Sequence, residues 1–158
     1  MEIYDSLLGA VCDEYDRVTL IKKSERGEVT LIRHRASGNR YIFRHFSGSS
    51  EVYRKLLTVS CPNLPQIMEV GEKEGKTALL EEYVQGDTLG EILQGGLLTA
   101  AQAKQITRQL CMALWVLHSL GVVHRDVKPD NVIIRGTEAV LIDFDASRIL
   151  SLIHISEP

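Results

Sequence analysis

The sequence predicts an α+β fold in which a first half made of strands is followed by a second half made of helices. Three runs that alternate or are rich in β-branched residues, at 17–22, 28–34 and 40–46, are separated by Ser-Glu-Arg-Gly and Ala-Ser-Gly-Asn, which favour hairpin turns. Two more runs, 66–71 and 77–83, flank a Glu-Gly-Lys turn. We therefore expect a five-stranded antiparallel sheet before residue 84.

Two helices are predicted around these strands. Residues 2–15 form an amphipathic pattern whose apolar side holds Ile3, Leu7, Leu8 and Val11. We expect this helix to pack on the sheet, although it could instead bind a partner. A second, short helix is expected over 49–59, because Pro62 forbids its continuation.

After residue 84 the pattern changes to helical. Thr88 with Glu91, and Thr99 with Gln102, have the capping-box form, in which a hydroxyl residue is followed three positions later by Glu or Gln. Each pair predicts the start of a helix. The second helix is long, and its apolar residues recur at three- and four-residue steps, at Ile106, Leu110, Ala113, Leu114 and Leu117. This stripe predicts burial against the rest of the helical part.

Composition excludes several classes of function. The 158-residue chain has a net charge of −3 with acidic and basic residues interspersed, so we expect no nucleic-acid binding. No apolar run reaches the roughly 18 residues of a membrane-spanning helix. The three cysteines, Cys12, Cys61 and Cys111, lack metal-ligand spacing and indicate reduced thiols in a cytoplasmic protein.

The most informative motif is His-Arg-Asp-Val-Lys-Pro-Asp-Asn at 124–131, followed after a predicted short hairpin by Leu-Ile-Asp-Phe-Asp at 141–145. It combines a carboxylate base, a cation and hard oxygen ligands at spacing suited to phosphoryl transfer. The competing interpretation is that Asp126 and Asn131 only shape a tight turn around Pro129. Order and spacing favour the chemical interpretation.

On these motifs the chain resembles a eukaryotic-type Ser/Thr protein kinase domain of the bacterial kind. The resemblance implies a protein-kinase-like two-lobe fold, use of ATP and Mg²⁺, and a protein substrate with a Ser or Thr acceptor. It implies that Asp126 accepts or orients the hydroxyl proton, that Lys128 holds the transferring phosphate, and that Asn131 and Asp143 bind the metal. His124 and Phe144 are expected to be architectural.

The resemblance also assigns an ATP site and reveals departures from the family pattern. The implied ATP-binding residues are Gly27, Val29, Ile42, Arg44, Glu51, Glu82, Val84 and Ile133. Arg44 replaces the phosphate-pairing lysine, with Glu51 as its expected partner, and Lys22 replaces the first glycine of the phosphate-binding loop. The alternatives are that Glu51 is a surface residue favoured at a helix start and that Arg44 is solvated on an edge strand. Glu81 occupies the gatekeeper position, usually apolar, and Asp145 replaces the glycine of Asp-Phe-Gly.

The resemblance divides the chain into an N-terminal helix at 1–15, a small lobe at 16–84, a partial large lobe at 85–149 and a tail at 150–158. The tail is similar to a translated sequencing adapter, so we expect a truncated kinase domain that ends near Asp-Phe-Asp. Such a fragment is expected to be inactive and marginally stable, because its long helix would expose an apolar face.

Three functions stay open at this point. The first is an ATP-dependent Ser/Thr protein kinase. The second is a small-molecule phosphotransferase of the aminoglycoside or choline type, against which Lys128-Pro129 argues. The third is a pseudokinase, a nucleotide-binding or interacting scaffold, which Lys22, Arg44 and Asp145 favour.

Overall fold

The computed structural model describes residues 2–150 and divides into two compact units. One unit contains the chain up to Val59 together with Gln66–Tyr83, and the other contains Ser60–Pro65 and the chain from Val84 onward. Of the predicted tail, only Leu150 is among the described residues. Each unit is described by itself below.

The first unit is built on the predicted five-stranded antiparallel sheet, which is confirmed. Its strands are β1 (Tyr15–Lys23), β2 (Gly27–His34), β3 (Arg40–Ser47), β4 (Ile67–Lys73) and β5 (Lys76–Glu82). Their order in the sheet is β1-β2-β3-β5-β4. Most strands extend a residue or two beyond the predicted runs, because the hairpin pairing continues up to the turns.

Helix α1 (Ile3–Glu14) packs on one face of this sheet. Its buried residues are Tyr4, Leu7 and Val11, and they meet a buried set on the strands consisting of Ile32, Phe43, Ala78 and Leu80. The predicted position of Ile3 on the apolar side is wrong, since Ile3 is 55% exposed and Tyr4 takes its place. The Tyr4 hydroxyl lies 2.7 Å from His45 Nε2, which gives the buried end of that ring a polar partner.

Helix α2 (Glu51–Leu56) is shorter than the predicted 49–59 segment. Tyr53 and Leu56 are its buried residues. The backbone N–H of Ser50, before the first turn, donates to a carboxylate oxygen of Glu72 at 2.8 Å. The β-branched Thr58 and Val59 follow the last turn, which favours an end at that point.

The described part of the second unit contains two α-helices, a 3₁₀ turn, a three-stranded sheet and a strand pair. Its elements are β6 (Asp87–Thr88), α3 (Leu89–Gln94), α4 (Ala100–Ser119), β7 (Val122–Val123), the 3₁₀ turn Pro129–Asn131, β8 (Val132–Arg135), β9 (Glu138–Leu141) and β10 (Arg148–Ile149). The three-stranded sheet has the order β6-β8-β9, and β7 pairs with β10. Both predicted capping boxes are present, at Thr88 and Thr99. The predicted hairpin between the two motifs is the β8–β9 pair.

Helix α4 presents its predicted stripe to the interior of this unit. Ala113 and Leu117 are fully buried, and Ile106, Leu110 and Leu114 are partly buried. On other sides of the helix, Met112 is 51% exposed and Trp115 is 69% exposed. Among the helices of residues 2–150, none has the length and apolarity needed to cross a membrane.

Asn63 attaches the short segment Ser60–Pro65 to the rest of the second unit. Its buried side-chain amide donates to the Ala139 carbonyl at 2.9 Å and to Gln109 Oε1 at 3.2 Å. Its own carbonyl accepts from the backbone N–H of Leu141 at 2.9 Å. These bonds join the segment to both α4 and β9.

Candidate active site

The His124 imidazole ties together the two motifs found in the sequence. The ring is buried, with Nε2 2.9 Å from the Ile142 carbonyl oxygen and Nδ1 accepting from the backbone N–H of Asp126 at 3.1 Å. Because an amide N–H can only donate, Nδ1 carries no proton and Nε2–H donates to Ile142. The ring also meets Phe144 edge-on, with centroids 5.5 Å apart. His124 therefore connects the loop of Asp126 to the segment of Asp143.

Asn131 orients the Asp126 carboxylate. The Asn131 Nδ2 donates to the backbone oxygen of Asp126 at 2.9 Å and to its Oδ2 at 3.0 Å. Asn131 is buried in the 3₁₀ turn, where Pro129 at the first position favours this tight conformation. Since both bonds use the nitrogen, the side-chain carbonyl oxygen of Asn131 is the atom suited to a cation.

Lys128 places a cation beside the same carboxylate. Its Nζ lies 3.7 Å from Asp126 Oδ1, and both side chains are partly exposed, at 53% and 39%. Asp126 thus has Asn131 at one oxygen and Lys128 at the other. A pair this exposed contributes little to stability, so its significance is the position of the charge.

Asp143 is held in an unusual backbone conformation next to Asn131. The N–H of Ile142 donates to the Asn131 carbonyl at 2.9 Å, and Asp143 Oδ1 accepts from the N–H of Asp145 at 3.1 Å. Asp143 has a φ of 65° and Arg125 a φ of 72°, both in the left-handed region that non-glycine residues seldom adopt. Strain of this kind accumulates at functional sites when the surroundings enforce it.

The donor set of this unit fits Mg²⁺. An amide oxygen from Asn131 and a carboxylate from Asp143 are hard ligands, and a set of two leaves most of the coordination sphere to phosphate oxygens and water, as Mg²⁺ prefers. Within the described part of the chain there is no cluster of three or more His, Cys, Asp or Glu that could hold a metal by itself. The residues are therefore suited to a metal that arrives with a phosphate ligand.

In the first unit, Arg44 is paired with Glu81 and not with the predicted partner Glu51. The Arg44 Nε donates to Glu81 Oε1 and its Nη2 to Oε2, each at 3.3 Å. Arg44 is 8% and Glu81 is 3% exposed, whereas the Glu51 side chain lies in solvent. The register explains the correction: Ile42 lies opposite Glu81, so Arg44, two residues on, is a diagonal neighbour of Glu81 on the same face.

The same face of the sheet carries the predicted apolar ATP contacts. Val29 lies opposite Arg44 across β2 and β3, and Ile42 alternates with Arg44 along β3. Packing explains why residue 27 is a glycine, which the sequence did not suggest. A Cβ at this position would lie 2.2 Å from the His45 carbonyl oxygen. The closeness of β2 and β3 therefore requires glycine at this position.

The remaining predicted ATP contacts lie on the strand end and in the second unit. Glu82 closes β5, where its carboxylate accepts from the N–H of Gln66 at 3.0 Å and its own N–H donates to the Gln66 carbonyl at 2.8 Å. Val84 is buried, and Ile133 is half-buried on β8, paired with Thr88 of β6. Glu81 is the functional candidate that the predicted site omitted; a charged residue inside an apolar strand was the available signal.

Three features identify the class of this protein. They are the two units of the fold, the Asp126 carboxylate oriented by Asn131, and the Asp-Phe segment that follows at 143–144. The family model described as "Protein kinase domain" matches residues 17–154. The chain belongs to the protein kinase domain family.

Bacterial Ser/Thr protein kinases are among the relatives to which the chain is similar. The chain is 35% identical over 101 residues to serine/threonine-protein kinase pkn2 of Myxococcus xanthus, covering 61% of this chain and 12% of that protein. It is 38% identical over 92 residues to PknD of Mycobacterium tuberculosis, covering 57% and 14%. The chain thus spans less than a fifth of the length of these relatives.

A solved structure shares the fold. A crystal structure of Rad53 1-466 in complex with AMP-PNP superposes with a TM-score of 0.71 at 22% identity, covering 85% of this chain and 39% of that one. At this identity the likeness concerns the fold alone. It confirms the predicted kinase-like combination of a five-stranded sheet and helical elements.

Proposed function

We propose that this chain comes from an ATP- and Mg²⁺-dependent kinase that transfers the γ-phosphoryl group to Ser or Thr hydroxyls of proteins. The observation that carries the proposal is the Asp126 carboxylate, fixed by Asn131 at one oxygen and accompanied by Lys128 at the other. A carboxylate so oriented can accept a hydroxyl proton, and a cation beside it can neutralise charge on the transferring phosphate. The names of the bacterial relatives support a protein substrate.

Four residues of the second unit have distinct roles in this chemistry. Asp126 aligns the attacking hydroxyl and takes its proton. The hydrogen bond from Asn131 Nδ2 keeps the Asp126 carboxylate from rotating. Asn131 Oδ1 and the Asp143 carboxylate would hold Mg²⁺, which when bound draws charge from the ATP phosphates. Lys128 would neutralise charge on the phosphoryl group as it leaves ADP, because its Nζ lies 3.7 Å from Oδ1 of the Asp126 carboxylate that aligns the acceptor hydroxyl.

Most of the proposed nucleotide contacts belong to the first unit. Val29 and Ile42 offer an apolar surface for the base, and Arg44 offers a cation for the phosphates from the same face of the sheet. Glu82 and Val84 are proposed to bond adenine through main-chain groups, with Ile133 against the ring. We also propose a cytoplasmic location, in keeping with three free cysteines among the described residues.

The test is transfer of labelled phosphate from ATP by the full gene product that carries this chain, followed by phosphoamino-acid analysis. The expected result is Mg²⁺-dependent phosphoserine or phosphothreonine that Asp126→Asn abolishes. Asp13→Asn serves as a matched control, because this carboxylate is exposed in α1 and the bond that Asp13 accepts from Arg35 goes to its backbone carbonyl, which the substitution keeps. Equal labelling by Asp126→Asn and the parent would contradict the assignment.

A second candidate function is supported by the Arg44–Glu81 pair. Because Glu81 already neutralises Arg44, the chain could bind nucleotide without turning it over, as a pseudokinase does. The same experiment distinguishes the two: a pseudokinase binds ATP and gives no labelled product in the parent or in either variant. Labelling of an aminoglycoside or choline in place of protein would instead identify a small-molecule phosphotransferase.

A further inference from the structure

Two departures from the family pattern, the arginine at position 44 and the acid at position 81, meet in one contact. We infer that Glu81 is a positioning residue for Arg44, and that the need to bond Glu81 at two points is the reason for arginine rather than lysine at this position. The inference rests on the proposed function, because it concerns the cation that the proposal assigns to the ATP phosphates.

The geometry of the contact selects arginine. Two N–H groups of one guanidinium, Nε–H and an Nη2–H, meet the two oxygens of one carboxylate at equal distances of 3.3 Å. This fork-to-fork arrangement fixes the plane of the guanidinium as well as its position. A lysine ammonium is a point charge on a flexible stem and cannot form two parallel bonds to a single carboxylate in this way.

Burial makes the two residues dependent on each other. With exposures of 8% and 3%, neither charge can be compensated well by water. Removing one member of such a pair leaves the other as an uncompensated buried charge, whereas replacing both by apolar residues is often neutral for stability. Replacing both residues together should therefore cost little stability, whereas replacing either one alone should destabilise the protein.

The sheet sets the orientation of the cation. Arg44 is flanked on its face by Val29 of β2 and Leu79 of β5, and Glu81 lies on that same strand β5. These neighbours are fixed by the backbone pairing of three adjacent strands. The placement of Arg44 should therefore be insensitive to the Glu51 side chain, which lies in solvent on α2.

The test compares Glu81→Gln with Glu51→Gln, the same change at the partner predicted from the sequence, and with Glu69→Gln at an exposed residue of β4. In Glu81→Gln we expect the melting temperature to fall by about 10 °C, and solvent exchange of the Arg44 Nε–H, followed by ¹⁵N NMR, to accelerate. The dissociation constant for Mg·ATP should rise on the order of tenfold or more, as expected for loss of a charge-assisted contact. Glu69→Gln should match the parent in all three measurements, and Glu51→Gln should match it in melting temperature and in exchange of the Arg44 Nε–H.

A double variant separates positioning from simple stability. Arg44→Met with Glu81→Leu should recover the melting temperature of the parent but not its affinity for Mg·ATP. Unchanged Nε–H exchange in Glu81→Gln would overturn the inference, as would an Arg44→Lys variant as stable and as tight for Mg·ATP as the parent. If the parent itself does not bind Mg·ATP, the proposed function fails, while the exchange and melting measurements still decide whether Glu81 positions Arg44.

Discussion

Replacing Asn63 by alanine should weaken the second unit, because this amide joins the segment Ser60–Pro65 to α4 and β9. The substitution removes bonds of 2.9 Å to the Ala139 carbonyl and 3.2 Å to Gln109 Oε1. Each such bond contributes about 1 kcal/mol net, and an orphaned buried acceptor costs about 1–3 kcal/mol more. Gln109 Oε1 keeps the Ala139 N–H as a donor, so one acceptor is orphaned and the expected loss is roughly 3 kcal/mol.

Urea unfolding followed by tryptophan fluorescence measures this loss. The sequence has a single tryptophan, Trp115, and it lies in α4 of the same unit. With a urea dependence of about 2 kcal/mol per molar, the midpoint should fall by about 1.5 M. Asn39→Ala is the control, since Asn39 is exposed just after a turn and bonds to Ser37 Oγ and to the N–H of His34 through its backbone, which the substitution keeps. Its midpoint should stay near that of the parent. Equal midpoints for the two variants would refute the reasoning.

Three further predictions concern local structure and pH. Thr99→Ala removes a side chain that accepts from the N–H of Gln102, so thermal unfolding should show a loss of about 1 kcal/mol. Gly27→Ala forces a Cβ toward the His45 carbonyl oxygen, so the first unit should lose stability, measured as faster amide exchange in β2 and β3. Burial holds the pKa of His45 below its usual value. The unfolded chain therefore protonates His45 at a higher pH, about 6.5, than the folded chain does. The stability of the parent should fall as the pH drops below that value, and the stability of His45→Gln should fall less in parallel melts. A parent and a His45→Gln variant with the same pH profile would contradict this.

Local patterns made much of the fold predictable. A capping box is complete within four residues, so Thr88 and Thr99 could be assigned as helix starts from the sequence, and both boxes are present in the structure. The five strands were predictable because turn residues and β-branched runs mark a hairpin locally. The ends of α2 were less so, since packing against the sheet determines how far a short helix continues.

Contacts between distant segments were not predictable in the same way. The partner of Arg44 depends on the register between β3 and β5, which are adjacent in the sheet but separated in sequence by α2 and β4. The family resemblance favoured Glu51 of the following helix, and pairing across the sheet brought Glu81 instead. Likewise, Ile3 and Tyr4 fit an apolar stripe about equally well, and only the sheet beneath α1 decides that Tyr4 is buried beside His45.

The catalytic motif was predictable as a set of residues but not as a geometry. The spacing of Asp126, Asn131 and Asp143 indicated a metal and phosphate site, and the roles of these residues stay predictions. The bonds that orient them, from Asn131 Nδ2 to Asp126 and from Ile142 N–H to Asn131, depend on how the hairpin β8–β9 folds back on the loop. The bonds from Nδ2 leave the side-chain oxygen of Asn131 as the atom suited to a cation.

The central claim is that Asn131 and Asp143 together hold the metal of a metal–triphosphate complex. Calorimetric titration of this chain with ATP, with and without Mg²⁺, tests it most directly in the parent, in Asp143→Asn and in the control Asp13→Asn. We expect Mg²⁺ to strengthen ATP binding in the parent and in Asp13→Asn, and to have almost no effect in Asp143→Asn. A Mg²⁺ enhancement of the same size in Asp143→Asn would contradict the account.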